Sequence, residues 1–328
     1  MSKYAVAITD WVFPSLDPER QALSTVDAEL RAKQCKTVEE IVDLTRDADA
    51  VLNCYAKVPA EAISAMQRCR IIARYGIGVD TVDMPAATKA GILVTNVPDY
   101  CVEEVSDHAM ALVLAVARKV GFSNLRARRG EWSVPATVPI YRLRGRTLGL
   151  AGFGKIPRAL APKAQAFGYE VIAFDPYLPA DAGASLGVKM VDFDTLLRES
   201  DVISVHVPLT PETRHMFDEK ALQAMKRTAI LVNTSRGPLV KEKALVTALE
   251  EGWIAGAALD VVETEPPPAD SRLFGFDNLV LTPHIGFYSE QSLQELQRKA
   301  VAEVVRVLRG EMPLNLVNRD VVPRFRKG

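Results

Sequence analysis

The stretch from Thr147 to Asp175, TLGLAGFGKIPRALAPKAQAFGYEVIAFD, limits the folds open to this 328-residue chain more than any other. A short apolar run, Leu148 to Ala151, meets glycines at 149, 152 and 154. A helix-like segment follows to Phe167, and a second apolar run closes on Asp175. Gly152 supplies a tight turn, and Gly154 lets the backbone approach a pyrophosphate. The helix start, with the N–H groups of Lys155 and Ile156, faces the phosphate charge. Asp175, about twenty residues further on, can accept hydrogen bonds from ribose hydroxyls and would repel a 2′-phosphate, which favours NAD over NADP. Strand, glycine turn, helix, strand and acid together read as a dinucleotide-binding unit; a lone glycine pattern would equally suit a plain β-turn-helix. Pro157 stands where a third glycine would aid helix–strand packing, and proline is tolerated in a first helical turn.

The flanking chain extends this unit into an α/β protein. Before it, Tyr4–Ile8, Ala50–Cys54, Arg70–Ala73 and Ile92–Thr95 read as strands, with Pro18–Lys33 and Pro59–Gln67 as helices between them. Strands separated by helices imply a parallel sheet with right-handed crossovers. The loop Arg74-Tyr75-Gly76-Ile77-Gly78 follows a strand and can offer backbone N–H groups to an anion, although an ordinary glycine turn fits as well. A long apolar helix spans Cys101 to Val120, and its His108 reads as a satisfied interior or interfacial histidine. Beyond Asp175, strands at Val202–Val207, Ala229–Asn233, Ala255–Leu259 and Leu279–Leu281 alternate with helices at Glu219–Met225 and Glu242–Glu251. A last helix, Ser289 to Leu308, has no strand after it and is expected to return to the first region. The expected division is 1–100 plus 291–328 against a nucleotide domain at 101–290, with a cleft between the two for cofactor and substrate.

Forty basic residues against 41 acidic ones give a formal charge of −1, so no global charge recommends nucleic acid or an anionic membrane as partner. The four cysteines, Cys35, Cys54, Cys69 and Cys101, lack metal-ligand spacing, and no metal site is expected. Basic clusters at Arg126–Arg129, Arg142–Arg146 and Arg324–Lys327 read as solvated surface. The run MSKYAVAITD is too short in apolar residues for a signal peptide and no segment suits a membrane span, so a cytoplasmic location is expected.

Three motifs fall at the ends of expected strands: Asn233-Thr234-Ser235-Arg236-Gly237, Leu259-Asp260-Val261-Val262-Glu263-Thr264-Glu265-Pro266 and Thr282-Pro283-His284-Ile285-Gly286. Ligands of open parallel sheets bind outside the carboxyl ends of strands, so the three loops are expected to share one crevice. Oxidation of a 2-hydroxy acid needs a carboxylate clamp, a base for the hydroxyl proton and an acceptor for the hydride. Arg236 can fork onto the acid, and His284 can exchange the proton. Glu265, bonded to the other ring nitrogen, would orient the imidazole. Asp260 or a backbone carbonyl could hold the nicotinamide carboxamide. Singly, an arginine before glycine is usually a surface residue, a Glu-Pro pair often a turn, and His284 could cap its own loop; their joint occurrence after a nucleotide motif carries the chemistry.

GFGKIP with Asp175, NTSRGPLV, GAALDVVETEP and TPHIG resemble the D-isomer-specific 2-hydroxyacid dehydrogenase family over essentially the whole chain. The resemblance implies Arg236, Glu265 and His284 as the catalytic set, with Glu265 preferred over Glu263. It implies a Rossmann-type NAD domain, a flavodoxin-like substrate domain and a homodimer built on the 101–120 helix. The expected cofactor contacts are Gly152, Gly154, Lys155, Ile156, Asp175, Val207, Pro208, Thr234, Ser235, Asp260 and Gly286. The Ile77–Gly78 backbone would receive the substrate carboxylate, with Tyr55, Arg74 and Phe287 around the rest of a small 2-hydroxy or 2-oxo acid. AFGYEVIAFDPYL and PHIGFYSEQS most resemble the C-terminal binding protein branch, whose members include NADH-responsive corepressors, and that branch commonly has tryptophan at the position of Phe287. A binding scaffold with little turnover is therefore the alternative function. The 3-phosphoglycerate branch is also similar, but places an arginine in the loop matched here by Asn53–Ala56, which makes a phosphorylated substrate less attractive unless Arg74 compensates.

Overall fold

Most strands of this protein are short apolar runs buried on both faces, the pattern of a parallel sheet covered by helices. The computed structural model describes residues 2–324; Met1 and residues 325–328, which include the end of the expected basic tail, lie outside the described residues. The chain forms two compact units, one of residues up to Tyr100 together with those from Ser289 onward, the other Cys101–Tyr288.

The first unit runs β1 (Tyr4–Ile8), α1 (Asp17–Ser24), β2 (Ala28–Ala32), α2 (Val38–Thr45), β3 (Ala50–Asn53), α3 (Ala60–Ala65), β4 (Ile71–Arg74), α4 (Met84–Lys89) and β5 (Leu93–Thr95). Its five strands are parallel in the order β2-β1-β3-β4-β5, the flavodoxin-like winding. Helix α2 begins in a capping box, in which Thr37 accepts from the Glu40 N–H and Glu40 reaches back to the Thr37 N–H. The core is built from Ile41, Val51, Ile63, Met66, Ile72 and Val94.

Pro18–Lys33, expected as one helix, is instead helix, turn and strand. Asp27 takes φ 51° and Ala28–Ala32 pairs along the outer edge of β1. AELRA has good helix formers, but an open sheet edge offers it a full ladder, and tertiary pairing outweighs a weak local propensity. The exposed Arg31 then bridges Glu29 and Asp47.

The second unit runs α5 (Val102–Ala117), α6 (Val120–Arg128), β6 (Thr147–Ala151), α7 (Lys155–Ala166), β7 (Glu170–Phe174), β8 (Lys189–Met190), α8 (Phe193–Glu199), β9 (Val202–Val205), α9 (Glu219–Ala224), β10 (Ile230–Asn233), α10 (Glu242–Glu250), β11 (Gly256–Leu259) and β12 (Leu279–Leu281). Its seven parallel strands lie in the order β12-β11-β10-β9-β6-β7-β8. Successive strand residues face opposite cores: Leu148, Val202 and Val232 pack under α5 and α7, whereas Ala151, Ile203 and Leu231 pack under α8 to α10. The expected 101–120 helix is broken at Lys119, which takes φ 51° and starts α6 in a new direction. Pro157 lies buried in the first turn of α7, where no intrahelical bond is lost, and a second proline, Pro162, sits inside the same helix.

The last helix, α11 (Glu290–Leu308), belongs to the first unit and packs on α1, β3 and β4. Its Gln297 donates to the wholly buried Glu19, which also accepts the Tyr75 hydroxyl at 2.8 Å. Burial holds the Tyr75 phenol well above its usual range, so this network keeps the residue after Arg74 fixed. Among the described residues no helix is long and apolar enough to cross a membrane.

Candidate active site

In the second unit the sheet order reverses between β6 and β9, and a crevice at such a reversal is where open α/β sheets bind ligands. Gly152, at the end of β6, takes φ 94°, and a Cβ there would stand 2.9 Å from the His206 carbonyl carbon and oxygen. Only glycine permits that turn. A Cβ on Gly154 would meet open space, and the following N–H groups of α7 have no acceptor one turn earlier. Asp175, at the end of β7, is held by backbone donors on both oxygens, from Phe153 and from Tyr177, each at 3.0 Å. The Thr234 hydroxyl is buried without a hydrogen-bond partner, and Ser235 Oγ donates to the Val207 carbonyl at 2.7 Å, next to Pro208. An open glycine cradle, a helix start, an oriented carboxylate and an orphaned hydroxyl fit a bound dinucleotide.

Strands β10, β11 and β12 are adjacent, so the loops at their carboxyl ends are neighbours. Buried Asn233 shapes the first loop: its amide donates to the Arg236 carbonyl at 2.8 Å and its oxygen accepts the Ser235 N–H at 3.0 Å. Arg236 Nη1 donates to the Ser235 carbonyl at 2.8 Å. Gly237 lies so close to the next loop that a Cβ would stand 1.8 Å from the Val262 oxygen. In that loop the Val262 N–H donates to Glu265 Oε1 at 3.1 Å, and Glu265 Oε2 lies 2.7 Å from His284 Nδ1. A carboxylate only accepts, so Nδ1 carries the hydrogen and Nε2 is the ring atom available for proton exchange.

His284 itself adopts φ 54°, and its N–H donates to the Asp260 carbonyl at 2.8 Å. Asp260 is 3% exposed and anchors the His284 loop: Thr282 Oγ1 donates to Oδ1 at 2.6 Å, the Ile285 N–H to Oδ1 at 2.9 Å and the Gly286 N–H to Oδ2 at 2.8 Å. Burial pushes the Asp260 carboxyl up, but His108, Thr282 and the two backbone donors outweigh it and hold the group below its usual range. His108, on α5, is a satisfied histidine, 3.0 Å from Thr282 Oγ1 and 3.3 Å from Asp260 Oδ1. Phe287 stands edge-on to the His284 ring at 6.2 Å between centroids.

The remaining expected residues are in the first unit. Asp10 accepts the N–H groups of Cys54, Tyr55 and Ala56, which fixes the loop after β3 and leaves Tyr55 40% exposed. Arg74 is 6% exposed, its guanidinium carbon lies 5.9 Å from the Tyr55 ring centre, and its Nε is buried without a partner. Gly76 takes φ 144°, a backbone conformation that favours glycine, and a Cβ there would overlap Arg74 Nη1. Ile77 accepts from Asn96 through its carbonyl at 2.7 Å, and among the described residues neither the Ile77 nor the Gly78 N–H meets a protein acceptor. No cluster of three or more His, Cys, Asp or Glu side chains suited to a metal occurs among the described residues.

Residues not singled out by sequence also belong to the scaffold of the second-unit site. Thr282 was within a recognised motif but its bond to Asp260 has no local signature. His215 and Glu263 are hydrogen-bonded across 48 residues of sequence, which no spacing rule would reveal.

A doubly wound sheet with this glycine turn and this histidine–carboxylate pair defines an NAD(P)-dependent oxidoreductase. The sequence profile described as D-isomer specific 2-hydroxyacid dehydrogenase, NAD binding domain, matches residues 110–286. A glyoxylate reductase of Korarchaeum cryptofilum is 44% identical over 286 residues, 86% of either chain. Among solved structures, an NADPH-dependent glyoxylate/hydroxypyruvate reductase of Sinorhizobium meliloti in complex with NADP and malonate is 30% identical, with a TM-score of 0.87 and 99% of each chain covered. A D-lactate dehydrogenase of Aquifex aeolicus complexed with NAD and lactic acid is 29% identical, with a TM-score of 0.82, covering 94% of this chain and 96% of that one. The chain belongs to the D-isomer-specific 2-hydroxyacid dehydrogenase family and is a dehydrogenase acting on 2-hydroxy acids.

Proposed function

We propose that the protein is an NADH-dependent reductase of small, unphosphorylated 2-oxo acids, with Arg236, Glu265 and His284 as its reacting set. The observation that carries this reading is the 2.7 Å contact of Glu265 with His284 Nδ1, on the loop next to Arg236. The name of the glyoxylate reductase relative supports glyoxylate as the first substrate to test. Asp175, with both oxygens already aimed by backbone donors, supports NAD over NADP, although relatives with either cofactor are known by name.

The Arg236 guanidinium holds the substrate carboxylate and carbonyl oxygen in one plane. Bound NADH supplies a hydride for the carbonyl carbon. His284 gives its Nε2 proton to the carbonyl oxygen, which yields the hydroxyl, and takes that proton back in the reverse direction. Glu265 stabilises the imidazolium before transfer and keeps the ring turned to the substrate. A bound NADH would be held by Gly152, Gly154, Lys155, Ile156, Asp175, Val207, Pro208, Thr234 and Ser235, with Asp260 and Gly286 ordering the His284 loop. Phe287, edge-on to the His284 ring, lies beside the rest of the substrate.

The same reading includes a homodimer built on the 101–120 region, chiefly α5. A groove of about 580 Å³ lined by Val116, Phe122, Tyr141, Leu143, Ile254 and Val280 accompanies the exposed Trp132, Val134 and Val138 in this unit, and light scattering on the purified chain tests it. Turnover of NADH and NADPH with a panel of 2-oxo acids tests the activity. Turnover with glyoxylate and NADH supports it. NADH-dependent capture of a protein partner without turnover would favour the corepressor-like scaffold instead.

A further inference from the structure

Besides Glu265 and His284, the second unit holds another carboxylate–imidazole pair, Glu263 with His215. Glu263 Oε1 accepts from His215 Nε2, and both side chains are mostly buried. Glu263 Oε2 accepts the Glu242 N–H at 3.1 Å, at the start of α10, whose N-cap Lys241 supplies no side-chain bond. Glu263 therefore caps a helix and engages a histidine at once.

His215 also reaches the other catalytic loop. Its own N–H donates to the Pro238 carbonyl at 2.8 Å, two residues after Arg236, and the ladder continues with Phe217 N–H to the Leu239 carbonyl at 3.1 Å and Lys241 N–H to the Phe217 carbonyl at 3.1 Å. The residue takes φ 56°, a conformation side chains rarely adopt, which costs free energy unless the surroundings hold it. Its backbone is thus fastened to the Arg236 loop and its side chain to the Glu265 loop. The two loops already touch where Gly237 meets Val262.

We infer that His215 and Glu263 are positioning residues that clamp the Arg236 loop to the Glu265 loop and so set Arg236 against the His284–Glu265 pair. The inference rests on the proposed roles of Arg236, Glu265 and His284. Arg236 holds the acid while His284 delivers the proton, and a displacement of one loop by about 1 Å would separate these two events and cost on the order of a hundredfold in rate. The glycine turn and Asp175 lie on other strands, and Thr234 and Ser235 sit at the start of the Arg236 loop where Asn233 holds the backbone, so cofactor binding is expected to survive the loss of the clamp.

The test uses His215→Ala, His215→Gln, Glu263→Met and the double variant His215→Ala/Glu263→Met, with His284→Ala alongside. NADH affinity, kcat and KM for glyoxylate, circular dichroism and thermal midpoint are measured for each. The expected result is a fall in kcat of about tenfold or more for His215→Ala, with NADH affinity within about twofold of the parent. His215→Gln, whose amide can still donate to Glu263, is expected to recover kcat to within about threefold of the parent. The double variant is expected to be no slower than the worse single variant, because both act through one contact. A purely structural pair would lower the thermal midpoint and leave kcat unchanged, and that result overturns the inference. So would a His215→Gln enzyme as slow as His215→Ala, or multiplicative losses in the double variant. If His215→Ala does not fold, the near-isosteric Glu263→Met, which can accept neither from His215 Nε2 nor from the Glu242 N–H, decides, with unchanged kcat overturning the clamp. A silent His284→Ala beside a normal His215→Ala removes the clamp alone, whereas turnover retained in His284→Ala removes the proposed reacting set and the clamp with it.

Discussion

Replacing Glu265 with glutamine separates the orientation of His284 from its charge. The glutamine oxygen can still accept from Nδ1, so the ring keeps its direction, while the carboxylate charge and the second acceptor that takes the Val262 N–H are lost. The pair is 2.7 Å apart, with side chains 25% and 35% exposed. Two charges about 4 Å apart interact by about 1 kcal/mol in water and about 4 kcal/mol near a protein surface. A charge-assisted hydrogen bond contributes about 1.5–3 kcal/mol net, and partial exposure argues for the middle of that range. About 2 kcal/mol corresponds to a loss of about thirtyfold in the step that delivers the proton. The assay follows NADH oxidation by glyoxylate for both enzymes under identical conditions. Unchanged kcat would refute the role given to Glu265.

Three further perturbations reach other parts of the account. Asp175→Ala is expected to weaken NADH binding and to improve NADPH binding, because the carboxylate that would face a 2′-phosphate is gone; equal affinities for the two cofactors in the unaltered protein would contradict the role of this acid. Gly237→Ala puts a methyl group 1.8 Å from the Val262 oxygen, so the Arg236 turn must move, and a loss of about 1–3 kcal/mol in stability together with slower turnover is expected from thermal melts and steady-state rates. Burial holds His206, bonded to Ser204 at 2.8 Å, down to about 3 from 6.5. The unfolded chain therefore takes up a proton below pH 6.5 that the folded one refuses until about 3, and stability is full above 6.5 and falls by up to about 1.4 kcal/mol per pH unit on acidification through that window. Urea midpoints between pH 7 and pH 5 are expected to show a shallower slope for His206→Gln, and an identical slope would remove His206 as the cause.

The parts of this protein that were legible in its sequence are those whose physics is local. Parallel strands covered on both faces appear as apolar runs such as ILVN and VISV, and the loops at their ends follow at once. The turn at Gly152 needs a residue without a Cβ, and its spacing to Asp175 is one strand–helix–strand unit. The misread segment, Ala28–Ala32, is a strand because of what lies beside it, namely the free edge of β1. Long-range partners were equally hidden. Glu263 and Glu265 are two residues apart, and only the path of the loop assigns one to His215 and the other to His284. Asp260 was read as facing a ligand, yet both its oxygens accept hydrogen bonds from the His284 loop, through Thr282, Ile285 and Gly286. Arg74 reads as one more basic residue until its burial beside Tyr55, with Nε unpartnered, gives it a place in the account.

The central claim is that His284 delivers the proton that accompanies hydride transfer. Single-turnover mixing of the preformed enzyme–NADH complex with glyoxylate, for the parent and for His284→Ala, measures that step directly. The account requires NADH affinity to be nearly the same in both proteins and the loss of NADH absorbance to slow by about 10²–10⁴-fold in the variant, the usual contribution of a general acid. Hydride transfer at the parent rate in His284→Ala would contradict it.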